Sequence, residues 1–365
     1  MTGEPPRENP GLTGHAEAVR TLFDGARSGR LAHAWLICGP RGIGKATLAY
    51  RFARYLLAND GDGAPGLLAP VPPEEGRGPL WVSPDHPVFR RVASGGHADL
   101  MTIECARDVK TGKQKAEIVV NDVRSIGPFL NLTAAEGGWR VVIIDSAEDM
   151  NPNAANAVLK VLEEPPNRAV LLLVSHNPGR LLPTIRSRCR KLVLSPLPDE
   201  QVRGLLSSYA PQLLADDRGQ LSRLAEGSIG KAMDLAEAGG LDLYRDILGI
   251  LDGLPRMDAE ALHEFSSRFA RVGSEDDFRT VTELLQWWLA GLITRMAKGE
   301  TRGGEGESAA ERDLYQRLLR TGGLDRWLEV WEKVTRLLAR TGPAHLDKKQ
   351  VLLTAFLSLE NAARA

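Results

Sequence analysis

At 365 residues the chain exceeds what one hydrophobic core usually serves, so two or three domains are expected. It is 43% hydrophobic and 25% charged with a formal net charge of −1, which excludes an overall basic field for gripping nucleic acid. No apolar run approaches the ~20 residues of a membrane-spanning helix, and residues 1–10 are polar and proline-rich rather than signal-like. A cytoplasmic protein is therefore expected. Cys38, Cys105 and Cys189 are widely spaced without a C-x-x-C pair, and read as reduced, buried thiols rather than disulfides or a zinc site.

In chain order, His33–Cys38 is a short apolar run that suits a buried parallel strand. Gly39-Pro40-Arg41-Gly42-Ile43-Gly44-Lys45-Ala46 follows, a phosphate-binding loop whose last position departs from the Gly-x4-Gly-Lys-[Ser/Thr] pattern. The pattern supplies backbone N–H groups for phosphates, a lysine for the β/γ-phosphates and a hydroxyl for Mg²⁺. Here the hydroxyl position is Ala46. Thr47 is one helical step on, rotated by roughly 100°, and should not substitute well. Leu48, Phe52, Ala53 and Leu56 predict a helix from about Lys45, with its N-terminus at the phosphates.

Residues 60–84 are rich in Gly and Pro and read as an irregular insertion. Val141–Asp145 is a second buried strand ending on an acid, where the Mg²⁺-ordering carboxylate belongs. Oligomeric P-loop ATPases of the AAA+ type place a glutamate next, to polarise the attacking water; this chain has Ser146, with Glu148 two residues further on. Asn151 should cap the following helix, with Pro152 at its first position; Ala155, Val158, Leu159 and Leu162 line one face, and Pro165-Pro166 end it. Ala169–Val174 is a third buried strand, and the alternation argues a parallel α/β sheet.

After a hinge at residues 195–198 strand signals vanish. Three apolar stripes follow at helical spacing: Leu284, Leu285, Trp288 and Leu292; Trp327, Trp331, Val334 and Leu338; Leu352, Ala355, Phe356 and Leu359. The tryptophans read as bundle core, because no basic residues interleave them as in a base-stacking platform. Residues 299–308 read as an exposed loop. Lys160, Lys348 and Lys349 read as solvated charges rather than phosphate clamps.

Five stretches together resemble the bacterial clamp-loader family: residues 31–40, 155–165, 182–189, 227–232 and 345–350. Gamma/tau-type members, which hydrolyse ATP, carry Thr at 46, Glu at 146 and Arg at 230; this chain has Ala46, Ser146 and Gly230, and sides with the family's non-hydrolysing subunit. The resemblance implies an α/β P-loop (AAA+) domain with a parallel sheet over 1–195, a small helical lid over 196–240 and an all-α collar over 241–365. It also implies a five-subunit ring with gamma/tau and delta subunits of DNA polymerase III, a DNA-directed DNA polymerase. That ring spends ATP to open the sliding clamp and set it on primed DNA. The expected part of this chain is a rigid stator without ATPase activity of its own, with Arg188 of the Ser-Arg-Cys turn reaching a neighbouring gamma/tau ATP in trans.

The vestigial nucleotide site would comprise Gly39, Pro40, Gly42, Gly44, Lys45, Ala46, Thr47 and Asp145. No cofactor is required, and two states of that site stay open: weak ATP or ADP binding without hydrolysis, or an empty loop kept as structure. Many members bind zinc through four cysteines in the insertion; residues 50–84 contain none, so no zinc is expected. The rival reading is an autonomous ATPase of the gamma/tau kind, with Thr47 and Glu148 standing in for the missing groups. A nucleotide-responsive scaffold unrelated to replication is the third.

Overall fold

A computed structural model describes residues 4–59, 78–106, 115, 117–136, 138–271, 273–299, 306–320, 323–341 and 346–364. Most of the 60–84 insertion, the middle of the 299–308 stretch and His345 lie outside those residues. The chain forms two compact units: Thr2–Gln201 with Ser228–Gly230, and Val202–Gly227 with Lys231 onward.

The first unit is built from α1 (Ala16–Arg27), β1 (Ala34–Cys38), α2 (Lys45–Ala58), α3 (Pro87–Ala93), β2 (Leu100–Ile103), α4 (Val120–Val123), α5 (Ile126–Asn131), β3 (Arg140–Ile144), α6 (Pro152–Glu163), β4 (Ala169–Ser175), α7 (Pro183–Arg188) and β5 (Arg190–Val193). The sheet order is β2-β3-β4-β1-β5, all parallel, with Ala34 opposite Leu171, Cys38 opposite Val193 and Ile144 opposite Leu173. The three central strands are buried throughout because both sheet faces are covered, which is why they read as unbroken apolar runs.

Alternation sorts their side chains into two layers. Trp35, Ile37, Val141, Ile143, Leu172 and Val174 pack with Leu22 of α1, Phe52 of α2 and Val88 of α3. Leu36, Cys38, Val142, Ile144, Leu171 and Leu173 pack with Val123 of α4, Leu130 of α5, Val158 of α6 and Ile185 of α7. The Asn151 carboxamide accepts from the Ala154 N–H at 3.0 Å with Pro152 in the first turn, so α6 starts as its sequence dictates. All three cysteines are buried and free.

Two strands, β2 and β5, have no counterpart in the sequence-based expectation. They are the sheet edges, only partly buried and four residues each, too short to stand out from a loop or a helical turn. Arg190 and Lys191 are exposed on β5, a pattern that discourages pairing with a foreign strand.

The second unit holds the body of α8 (Asp199–Tyr209) and α10 (Ile229–Glu237), with α9 (Ala215–Ala225), α11 (Gly240–Asp252), α12 (Ala259–Ser267), α13 (Glu275–Lys298), α14 (Ala309–Leu319), α15 (Leu324–Thr341) and α16 (Lys348–Ala363). Its described elements are all helical, as expected beyond the hinge. The 24-residue α13 packs against α11, α14 and α15, and α16 packs against α12 and α15. The stripes on α13 and α16 are buried as expected. On α15 the expectation needs correction: Trp327 and Val334 are buried, but Trp331 is 36% exposed. Residues 327, 334 and 341 are the buried ones, seven apart, so the apolar face meets the core along a narrower line than i, i+4, i+7 spacing implied. Lys348 pairs with Glu275 at 2.8 Å and Lys349 Nζ meets His263 Nε2 at 2.9 Å, while Lys160 is exposed. No helix among the described residues is long and apolar enough to cross a membrane.

Candidate functional site

β1 delivers the chain to Gly39 at the C-terminal edge of the sheet, beside β4 and β5, where ligands of open α/β sheets bind. The turn needs its glycines. Gly39, Gly42 and Gly44 have φ of 148°, 75° and 99°, and a Cβ on Gly39 would stand 2.4 Å from the Leu194 carbonyl oxygen. α2 begins at Lys45, directly after the loop.

Four consecutive carbonyls of this loop each accept a hydrogen bond from the protein. Lys45 Nζ donates to Pro40 O. Ser228 Oγ donates to Arg41 O at 2.8 Å, the Gly230 N–H to Gly42 O at 2.9 Å, and His15 Nε2 to Ile43 O at 2.7 Å. Because a carbonyl only accepts, the His15 proton sits on Nε2. Burial lowers the pKa of His15, which keeps the ring neutral. The Gly230 contact is backbone on backbone: a Cβ there would lie 2.7 Å from Gly42 Cα, and a Cβ on Gly42 2.4 Å from Ser228 Oγ.

Lys45 is 3% exposed, and burial brings its pKa down to about 8 against the pull of Asp145 and Glu148. Ala46 and Thr47 follow in the first turn of α2, both half-buried. Asp145 stands just past the end of β3. Burial pushes its carboxyl above the ordinary range, although the Ser146 N–H binds Oδ1 at 2.8 Å and Lys45 is close by.

Beyond Asp145 the chain turns sharply. Ser146 takes a left-handed conformation (φ 55°) and its Oγ lies 3.2 Å from His176 Nε2. Glu148, buried in the 3₁₀ turn Ala147–Asp149, accepts the His176 and Asn177 N–H groups on Oε1 at 2.7 and 3.0 Å. Burial pushes its pKa up, but hydrogen bonds from its own N–H and those two outweigh it, so the carboxyl sits below the usual range. Glu148 thus anchors the end of β4 to the turn after β3.

Arg188 closes α7 and is exposed. One guanidinium nitrogen lies 2.8 Å from Glu163 Oε1, and the other donates to Thr184 O at 3.1 Å. The loop residues, Lys45 and Asp145 therefore converge at the C-terminal edge of the sheet, while Arg188 belongs to the α6–α7 surface.

A family model described as DNA polymerase III, delta subunit matches residues 83–198. A delta' subunit of DNA polymerase III from Pseudomonas aeruginosa is 41% identical over 158 residues, 43% of this chain and 42% of that protein. The chain is thus similar to delta' subunits of DNA polymerase III over part of its length. The delta' subunit of Escherichia coli K12 is 33% identical over 209 residues, 57% of this chain and 56% of that protein. The tau subunit of the same organism is 30% identical over 234 residues, 62% of this chain but 32% of that protein. The chain spans about two fifths of the first of these delta' subunits and a little over half of the second.

Around the site, what sequence reasoning missed is His15, Ser228 and the anchoring role of Glu148. His15 precedes an amphipathic helix and carried no motif. Ser228 and Gly230 lie 187 and 188 residues beyond the loop carbonyls they bind, a distance that no local pattern encodes. Arg51 and Arg54 of α2 were missed too. Both are buried, donate to the carbonyls of Pro10, Arg7 and Asn9, and so hold the N-terminal segment along α2.

Proposed function

We propose that this chain is the non-hydrolysing, delta-prime-type stator of a DNA polymerase III clamp loader, working with gamma/tau and delta subunits to place a sliding clamp on primed DNA. The observation that carries the reading is the fate of the hydrolytic positions. Position 46 has no hydroxyl, Ser146 stands after Asp145, and Glu148 is committed to the His176 and Asn177 N–H groups. Removing one positioned acid–base or electrostatic group costs on the order of 10²–10⁴ in rate. Two such losses leave negligible turnover.

The loop residues still fit a phosphate: the carbonyls of Pro40 to Ile43 are bonded elsewhere, and Lys45 stands at the start of α2. Bound nucleotide would supply only phosphate charge here, and Gly39, Gly42, Gly44 and Lys45 would hold it. No zinc or other resident cofactor enters this reading.

Arg188 supports the second half of the proposal. It is exposed at a helix end, and a guanidinium presented to a neighbour's ATP stabilises transition-state charge. The test is phosphate release by the purified chain, alone and in a ring reconstituted with gamma/tau and delta. The lone chain should be inactive, and Arg188→Ala should cut, but not abolish, turnover at the site it faces while leaving assembly intact. Turnover by the lone chain that Lys45→Ala abolishes would instead establish an autonomous ATPase of the gamma/tau kind.

A further inference from the structure

We infer that Glu163 is the positioning residue for the Arg188 guanidinium, an inference that rests on the trans-acting role proposed above. Glu163 is the last residue of α6, at the negative end of the helix dipole, where a carboxylate is electrostatically misplaced unless a cation meets it. Arg188 is that cation, at 2.8 Å.

The geometry fixes more than charge. Glu163 holds one terminal nitrogen of the guanidinium and the Thr184 carbonyl holds the other. The Arg188 side chain is therefore pinned between the end of α6 and its own helix, and the remainder of its five N–H donors is left to an incoming anion. A free arginine samples many rotamers, whereas a group that must meet a developing charge works best when already oriented. The pair is half-exposed, with side chains 37% and 50% accessible, so it contributes little to stability. What it sets is direction.

α6 and α7 pack against each other, and Val158, Leu162 and Ile185 are buried in one apolar layer, so the two anchor points move together. Pro165 and Pro166 end α6 immediately beyond the pair, and Pro183 opens α7. The guanidinium is thus referenced to rigid elements on both sides rather than to a loop.

The test uses the ring reconstituted from this chain with gamma/tau and delta, carrying Glu163→Gln, Arg188→Ala or both. Glu163→Gln is isosteric and exposed, so folding and assembly stay intact. At the site this chain serves, it should lower kcat on the order of tenfold while KM for ATP is unchanged. In the Arg188→Ala background it should remove nothing further. An unchanged kcat in Glu163→Gln overturns the inference, as does a loss of equal size in both backgrounds, which would mean that the carboxylate acts through something other than Arg188. A silent Arg188→Ala is a different result: it removes the parent reading.

Discussion

Lys45 shows how far a motif residue is specified by its spacing and how far by its surroundings. Its place after Gly44 and at the start of α2 was legible, as was the absence of a hydroxyl at 46. Its burial and its bond to Pro40 O were not, because they depend on how the loop closes on itself. With its pKa lowered from 10.5 to about 8, the folded chain binds less proton than the unfolded chain between those values. Stability should therefore rise with pH across that window and carry the full penalty of the charged ammonium below it. Lys45→Met keeps the apolar stem and discards the charge. The variant should melt above the wild type at pH 7, and the gap should narrow towards pH 10. Thermal melts at both values check this; a gap that does not change with pH refutes it.

At the scale of elements, legibility followed burial. The central strands declared themselves as apolar runs, and α6 by its Asn-Pro start and Pro-Pro stop. The edges β2 and β5 did not, since four residues are too few to set a period, and on β5 two of the four are charged. The contact between Gly42 and Gly230 was also invisible, because its partners are remote in sequence. It yields a prediction in which two rules oppose each other. Helix propensity alone says that Gly→Ala inside a helix gains up to about 1 kcal/mol. At Gly249 in α11 a Cβ would meet nothing within 4 Å, so Gly249→Ala should gain roughly that amount. At Gly230 in α10 the Cβ would sit 2.7 Å from Gly42 Cα, a backbone atom that cannot swing aside. Gly230→Ala should instead cost about 1–3 kcal/mol, the usual range for overpacking. Urea midpoints of the two variants should move in opposite directions. Similar gains at both sites would show that the Gly42 contact does not constrain the loop.

For the molecule as a whole, the two units are held together internally by different physics. The α/β unit rests on two apolar layers about a sheet. The helical unit adds a buried ionic knot. Arg223 of α9 binds Glu311 of α14 through both terminal nitrogens, at 3.0 and 2.5 Å, and approaches Glu307 at 3.6 Å. Tyr244 of α11 donates to Glu311 Oε1 at 2.5 Å, and Arg295 of α13 pairs with Glu307. The Arg223 and Arg295 guanidinium groups lie over the rings of Trp287 and Tyr315, and Tyr315 stacks on Trp288 with 5.5 Å between centroids. The sequence showed the apolar stripe of α13 but not this knot, since single charges on amphipathic helices look alike whether they face water or each other. Glu311 is 1% exposed, so deleting its partner strands a carboxylate in a medium that solvates it poorly. Tyr244 remains as a single donor, which is too few for both oxygens. Arg223→Ala should thus cost about 3–5 kcal/mol. Because every member of the knot belongs to the helical unit, that loss has an address. Amide hydrogen exchange should speed up across α9, α11, α13 and α14, while the amides of β1, β3 and β4 keep their protection. Equal loss of protection in the sheet would mean that the two units open as one cooperative body, and the knot could not then be credited to the helical unit alone.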